Sequence, residues 1–193
     1  MSLLAEEVVE EWLNRDGYFT IRGAKVGVYE MDILAIRPLV NNGHECRHIE
    51  VQASINPISY ITKVPAAVRK QTGIAPHNAK KRELSLLRKG VQEWVDAKFN
   101  LPEKVKLLTQ LCPGEWTKEL VVGNVKHEEE LSLLKEAGVT IYSLRGILDE
   151  MVDTPGIVRA AAGHDLYDLM RLRESREPGP SRVARNRRSH PTR

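Results

Sequence analysis

Asp32 and Glu50 are the residues of this chain best placed for metal-assisted chemistry. Asp32 sits in Tyr29-Glu30-Met31-Asp32-Ile33-Leu34-Ala35-Ile36, and Glu50 in His48-Ile49-Glu50-Val51-Gln52. Both runs have strand character. Asn41-Asn42-Gly43 lies between them, and Asn-Gly steps favour tight reversals. The two runs therefore read as an antiparallel hairpin. Strand alternation sends Glu50 and Gln52 to one face. A carboxylate on each of two adjacent strands suits Mg²⁺, which takes hard oxygen ligands and keeps several waters. The plainer reading is a solvated sheet face, which Glu30 and Asp32 by themselves would suggest. His44 and His48 flank the pair and read as surface residues.

The elements that must hold this pair follow from periodicity. Leu4, Val8, Val9, Trp12 and Leu13 give one apolar stripe, predicting a helix from Leu4 to Asp16. A short strand over Tyr18 to Ile21 follows. Arg22-Gly23-Ala24-Lys25 reads as a polar turn able to approach a phosphate, or simply as a solvated one. Further strands are expected over Val26 to Ile36 and His44 to Ala53. A helical turn fits Val64 to Gln71. A longer helix fits Ala79 to Phe99, with Leu84, Leu87, Val91, Trp94 and Val95 inward. Its other side carries Lys80, Lys81, Arg82, Arg88 and Lys89, an ordinary charged face or a phosphate-backbone contact. Pro102 suits the first position of a helix over Leu101 to Leu111. Lys118 to Val125 reads as a buried strand, Glu128 to Ala137 as a helix with an acidic start, and Val139 to Tyr142 as a last strand. Strand, helix and strand with short links predict a parallel crossover. A short helix over Leu144 to Val152 completes an α/β fold with a mixed sheet.

Composition sets the outer bounds. The chain has 193 residues, 41% hydrophobic, with a net charge of +3. That length fits one domain over 1–152, with a helical insertion at about 56–112, a helical extension over 153–173 and a basic tail over 174–193. Eight arginines and two glutamates fall between Arg171 and Arg193, so most of the basicity belongs to the tail. Such a tail contacts nucleic acid nonspecifically or has no role beyond solvation. No run of eighteen apolar residues is present, so no membrane span is expected. The first residues lack the pattern of a secretory signal. Cys46 and Cys112 form no metal cluster or framework. A cytoplasmic or nucleoid-associated setting is the expectation.

With these residues in view, the chain resembles the restriction-endonuclease-like, or PD-(D/E)xK, nuclease superfamily. The likeness is nearest to its archaeal Holliday-junction-resolvase and Mrr-like branches. Glu6-x-x-Val9-x-x-x-Leu13-x-x-x-Gly17-Tyr18 looks like their first helix, with its acidic residue at Glu6. Tyr29 to Ala35 looks like the strand bearing the metal-binding aspartate, at Asp32. Ile49-Glu50-Val51-Gln52 looks like the paired motif, with Glu50 as second ligand and Gln52 where lysine is usual. The resemblance implies a restriction-endonuclease-like mixed central sheet flanked by helices, and a Mg²⁺-dependent endonuclease, with Mn²⁺ able to substitute. Asp32, Glu50 and the carbonyl of Val51 would hold the ion, Glu6 would reach a metal water or a second ion, and Gln52 would orient the nucleophile. Gln52 cannot supply positive charge. Lys63 is the expected replacement, ahead of Lys25. Arg22, Lys25, Lys80, Lys81 and Arg82 are the expected nucleic-acid contacts. The partner would be DNA, with branched or damaged forms among the candidates. Apolar stretches at 101–111 and 157–170 could supply a homodimer interface or close the monomer's own core. The alternative function is an inactive nuclease fold that binds nucleic acid or protein.

Overall fold

The computed structural model describes residues 2–40, 42–54 and 56–153. The expected extension over 153–173 and tail over 174–193 lie outside the described residues, save Asp153. The first element, α1 (Ser2–Arg15), buries Ala5, Val8, Val9 and Leu13. Its stripe starts at Ala5, whereas Leu4 is exposed. Three antiparallel strands follow: β1 (Phe19–Val26), β2 (Tyr29–Pro38) and β3 (His44–Gln52). The β2–β3 reversal falls where expected. The N–H of Leu39 donates to the carbonyl of Gly43 (2.9 Å), and Asn42 takes a left-handed φ of 60°.

The first hairpin differs from expectation. Residues 22–25 are not a turn: they continue β1, and the chain reverses at Gly27-Val28. The ladder pairs Arg22 with Ile33 and Ala24 with Met31, and skips Gly23 and Asp32 between them. Gly23 has φ +65°, a conformation a β-carbon would penalise. The side-chain alternation shifts at this point. Ile33 and Ala35 pack with α1, whereas Met31 and Leu34 both join Leu108.

The return to the sheet is made by α2 (Ala66–Thr72), α3 (Leu84–Phe99) and α4 (Pro102–Leu111). The segment expected to be an insertion thus serves as the crossover between β3 and β4 (Trp116–Val122), which run parallel. The expected helix from Ala79 starts at Leu84, and residues 79–83 are irregular. The chain ends its described part with α5 (Glu128–Glu136), β5 (Val139–Ser143) and α6 (Leu144–Asp153). β4 and β5 are parallel across α5, as the crossover reading requires.

The result is an α/β fold: among the described residues, a five-stranded mixed sheet in the order β1-β2-β3-β4-β5, flanked by six helices. One apolar cluster joins α1 and α6 to Ile33, Ile49, Val51 and Val121. A second joins α3 and α5 to Leu120, Val122 and Val139. Alternation along β3 therefore commits Ile49 and Val51 to the α1 face and leaves Glu50 for the opposite side. Among the described residues no helix is long and apolar enough to cross a membrane.

Candidate active site

The paired carboxylates lie where β2 parts from β3. Their ladder runs from the Pro38–His44 pair to Ile33–Ile49 and stops. Beyond that point the side chain of Asp32 replaces a backbone acceptor: its Oδ2 takes the N–H of Val51 at 2.8 Å. Strand separation opens the sheet here, and Asp32 spans the gap. Burial, and then the charge of Glu50, push the Asp32 carboxyl up to about 6, although the Val51 N–H and Lys98 oppose the shift. Glu6, half-buried on α1, adds a smaller push in the same direction.

Glu50 is fully buried but differently supplied. Lys98 Nζ donates to its Oε2, His48 Nε2 lies 3.2 Å from its Oε1, and Lys104 Nζ is 3.6 Å from the same oxygen. Burial favours its protonated form, but His48 and Lys98 outweigh it and hold the Glu50 carboxyl below the ordinary range. Burial also lowers the His48 pKa. A neutral His48 next to an ionised Glu50 must therefore carry its proton on Nε2 and donate. The expectation that His48 is a surface residue is overturned: it is 1% exposed and packs edge-on against Phe99 at 4.8 Å between ring centres.

Lys98 and Lys104 are the residues that sequence reasoning missed. Lys98 stands in the last turn of α3, where burial would lower its pKa but Glu50 raises it on balance. Lys104, in the first turn of α4, donates to the carbonyls of Glu30 and Lys98, both at 2.9 Å. It thereby ties β2 to the α3 terminus. The signal was present. Val91, Val95 and Lys98 are spaced i, i+4, i+7, and so are Lys104, Leu108 and Leu111. A lysine on such a stripe either reaches out to water or meets a buried carboxylate, and the spacing leaves that choice to the tertiary structure.

The other expected site residues fall elsewhere. Lys63 is exposed, and its carbonyl lies against Gly90, about two turns of α3 before Lys98. The cation that meets Glu50 is Lys98 rather than Lys63. Lys25 pairs with Glu30 at 3.5 Å, and Arg22 with Glu7 and Glu10, each at 3.5 Å. Lys80 and Lys81 are exposed. Arg82 is not available to nucleic acid: it is buried, with its guanidinium 4.0 Å from the Tyr60 ring centre and donating to the Thr62 carbonyl at 2.9 Å. Gln52 closes β3 and is partly exposed.

Two carboxylates and the Val51 carbonyl are hard oxygen donors, and burial is the main cause of the raised Asp32 pKa. That donor set fits a Mg²⁺-like ion, which is commonly held by one or two carboxylates and water. No group of three or more His, Cys, Asp or Glu side chains placed to hold a metal occurs among the described residues. Searches against known protein families and against curated proteins find no match. Among solved structures, the chain is similar to one titled "Crystal Structure of Protein of Unknown Function AF1548". The identity is 12% and the TM-score 0.42, over 86% of this chain and 78% of that one.

Proposed function

We propose that this protein is a divalent-metal-dependent DNA endonuclease in which Lys98 supplies the positive charge that Gln52 cannot. The observation that carries the reading is the convergence of Asp32, Glu50 and Lys98 where β2 and β3 separate. Asp32, Glu50 and the Val51 carbonyl would hold the ion. Bound there, a Mg²⁺ ion would acidify a water and neutralise phosphate charge. Lys98 has three ammonium protons and uses one on Glu50, which leaves donors for a phosphate oxygen as negative charge develops. Lys104 fixes the Lys98 backbone, and His48 keeps Glu50 ionised and oriented. Gln52 can position a water or a phosphate oxygen through its amide.

The test is cleavage of linear, nicked and branched DNA with Mg²⁺ or Mn²⁺, using folded protein free of nucleic acid. Cleavage is expected on at least one substrate and should be abolished by Asp32→Ala. Calorimetry should show Mn²⁺ binding that the same substitution removes. Failure of both measurements sinks the reading. One observation favours the second reading, a binding module without chemistry: Glu50 already has Lys98, Lys104 and His48 around it. On that reading no Mn²⁺ heat depends on Asp32.

A further inference from the structure

Between the buried Val64 and the start of α3 the chain makes an excursion that the core does not explain. Its helix α2 buries no residue, and a seven-residue helix does not persist on its own propensity. It is held at the root instead. Glu93 on α3 accepts the Ala66 N–H, at 3.0 Å to its nearer oxygen. The Val64 N–H donates to the Pro76 carbonyl at 2.8 Å, and Arg69 Nε to the Val64 carbonyl at 2.9 Å. Below the root, Glu130 accepts the N–H groups of Ile61 and Thr62 at 2.7 and 2.9 Å. The backbone packs so closely on α3 that a β-carbon at Gly90 would lie 3.0 Å from the Lys63 carbonyl.

What this framework displays is positive charge. Residues 63–82 contain six lysines and arginines and no acidic residue, although the chain as a whole carries only +3. Arg69 and Arg82 are committed to backbone carbonyls. Lys63, Lys70, Lys80 and Lys81 are exposed, and none is ion-paired among the described residues. The basic residues of β1 differ, since Arg22 and Lys25 each face glutamates. Four free ammonium groups on a braced scaffold cost self-repulsion that folding does not need. Glu93, at the root, lies five residues before Lys98 on the same helix, a rise of roughly 7–8 Å. The excursion is therefore braced on the helix that also carries Lys98.

We infer that the 63–81 excursion is a clamp for the phosphate backbone of duplex DNA, with Lys63, Lys70, Lys80 and Lys81 as its contacts. The choice of DNA as partner rests on the proposed nuclease reading, but binding needs neither metal nor cleavage. The test is fluorescence anisotropy on a labelled duplex in EDTA, across a salt series, with the full chain. Replacing the four lysines with alanine should weaken binding at least ~10-fold at low salt. It should also flatten the slope of log K against log salt by about 3 to 4, near one unit per lost phosphate contact. The fourfold Lys→Arg variant should keep the wild-type slope. The alanine variant should melt no lower than the wild type, as relief of self-repulsion requires, and all variants should keep the Mn²⁺ heat. An unchanged slope in the alanine variant would assign binding to other cations, the arginine-rich tail first, and overturn the clamp. So would a wild-type chain with no measurable duplex affinity. Loss of cleavage with Asp32→Ala, with duplex binding retained, reports on the nuclease reading alone.

Discussion

Lys98 and Asp32 respond to different experiments because one is an ammonium paired with Glu50 and the other a buried carboxyl. If Lys98 stabilises charge developing on a phosphate, Lys98→Met should lower kcat about 100-fold, roughly 2.7 kcal/mol of transition-state stabilisation. Lys98→Arg should recover part of the loss. Lys25→Ala should leave kcat within about threefold, because that ammonium faces Glu30. A kcat as low in Lys25→Ala as in Lys98→Met would remove Lys98 from the mechanism. For Asp32 the folded pKa of about 6 lies above the ordinary 3.8. The folded chain therefore keeps a proton that the unfolded chain releases between those values, and stability falls as pH rises through that window. In metal-free buffer Asp32→Asn should melt higher than the wild type at pH 8. The gain should shrink as the pH drops from about 6 towards 4. Equal melting at pH 8 would mean that water, not burial, surrounds this carboxyl.

At the scale of elements, the crossover is pinned to α5 by buried polar contacts as well as by apolar packing. Glu130 stands in the acidic first turn of α5, which suits the positive end of a helix dipole. Its larger task is tertiary, because it is fully buried and accepts from Ile61 N, Thr62 N and Thr62 Oγ1. Glu130→Ala would leave those donors buried without a partner, at about 1–3 kcal/mol for each such group. We expect urea unfolding to show a loss of about 3 kcal/mol or more. Hydrogen exchange should quicken first at the amides of Ile61 and Thr62. Uniform acceleration over the whole sheet would show that Glu130 supports the core rather than this anchor.

At the scale of the whole molecule, a buried ion pair lies on the α1 face of the sheet among the described residues. Arg47 of β3 forks onto Glu119 of β4 at 2.6 to 3.0 Å, under the rings of Trp12, Tyr18 and Tyr142. Both side chains are nearly fully buried. Removing one partner strands the other, so Glu119→Ala should cost about 3–5 kcal/mol. The double replacement Arg47→Met with Glu119→Leu should lie close to the wild type, because desolvation of the pair offsets much of its attraction. Denaturant melts of the two single variants and the double decide this. A double variant as unstable as Glu119→Ala would mean that the pair is worth far more than its desolvation.

By itself the sequence determined the features that depend on neighbours along the chain. Apolar spacing at 3.6 and 2 residues marked α1, β2, β3, α4 and the β4-α5-β5 crossover, and Asn42-Gly43 marked the reversal that sets Asp32 and Glu50 on adjacent strands. The turn expected at residues 22–25 failed because Arg22, Ala24 and Lys25 pair with β2, and the left-handed Gly23 kinks the strand without reversing it. Only the tertiary structure decided how charge is shared within the site. Lys98 reaches Glu50 across 48 residues, and Glu130 reaches Thr62 across 68. It also decided that Arg82 is buried while its neighbours Lys80 and Lys81 stay exposed. A charged side chain has the same local pattern whether water or a buried carboxylate receives it. The choice between them depends on burial and distance, and both arise only when α3 crosses back over the sheet.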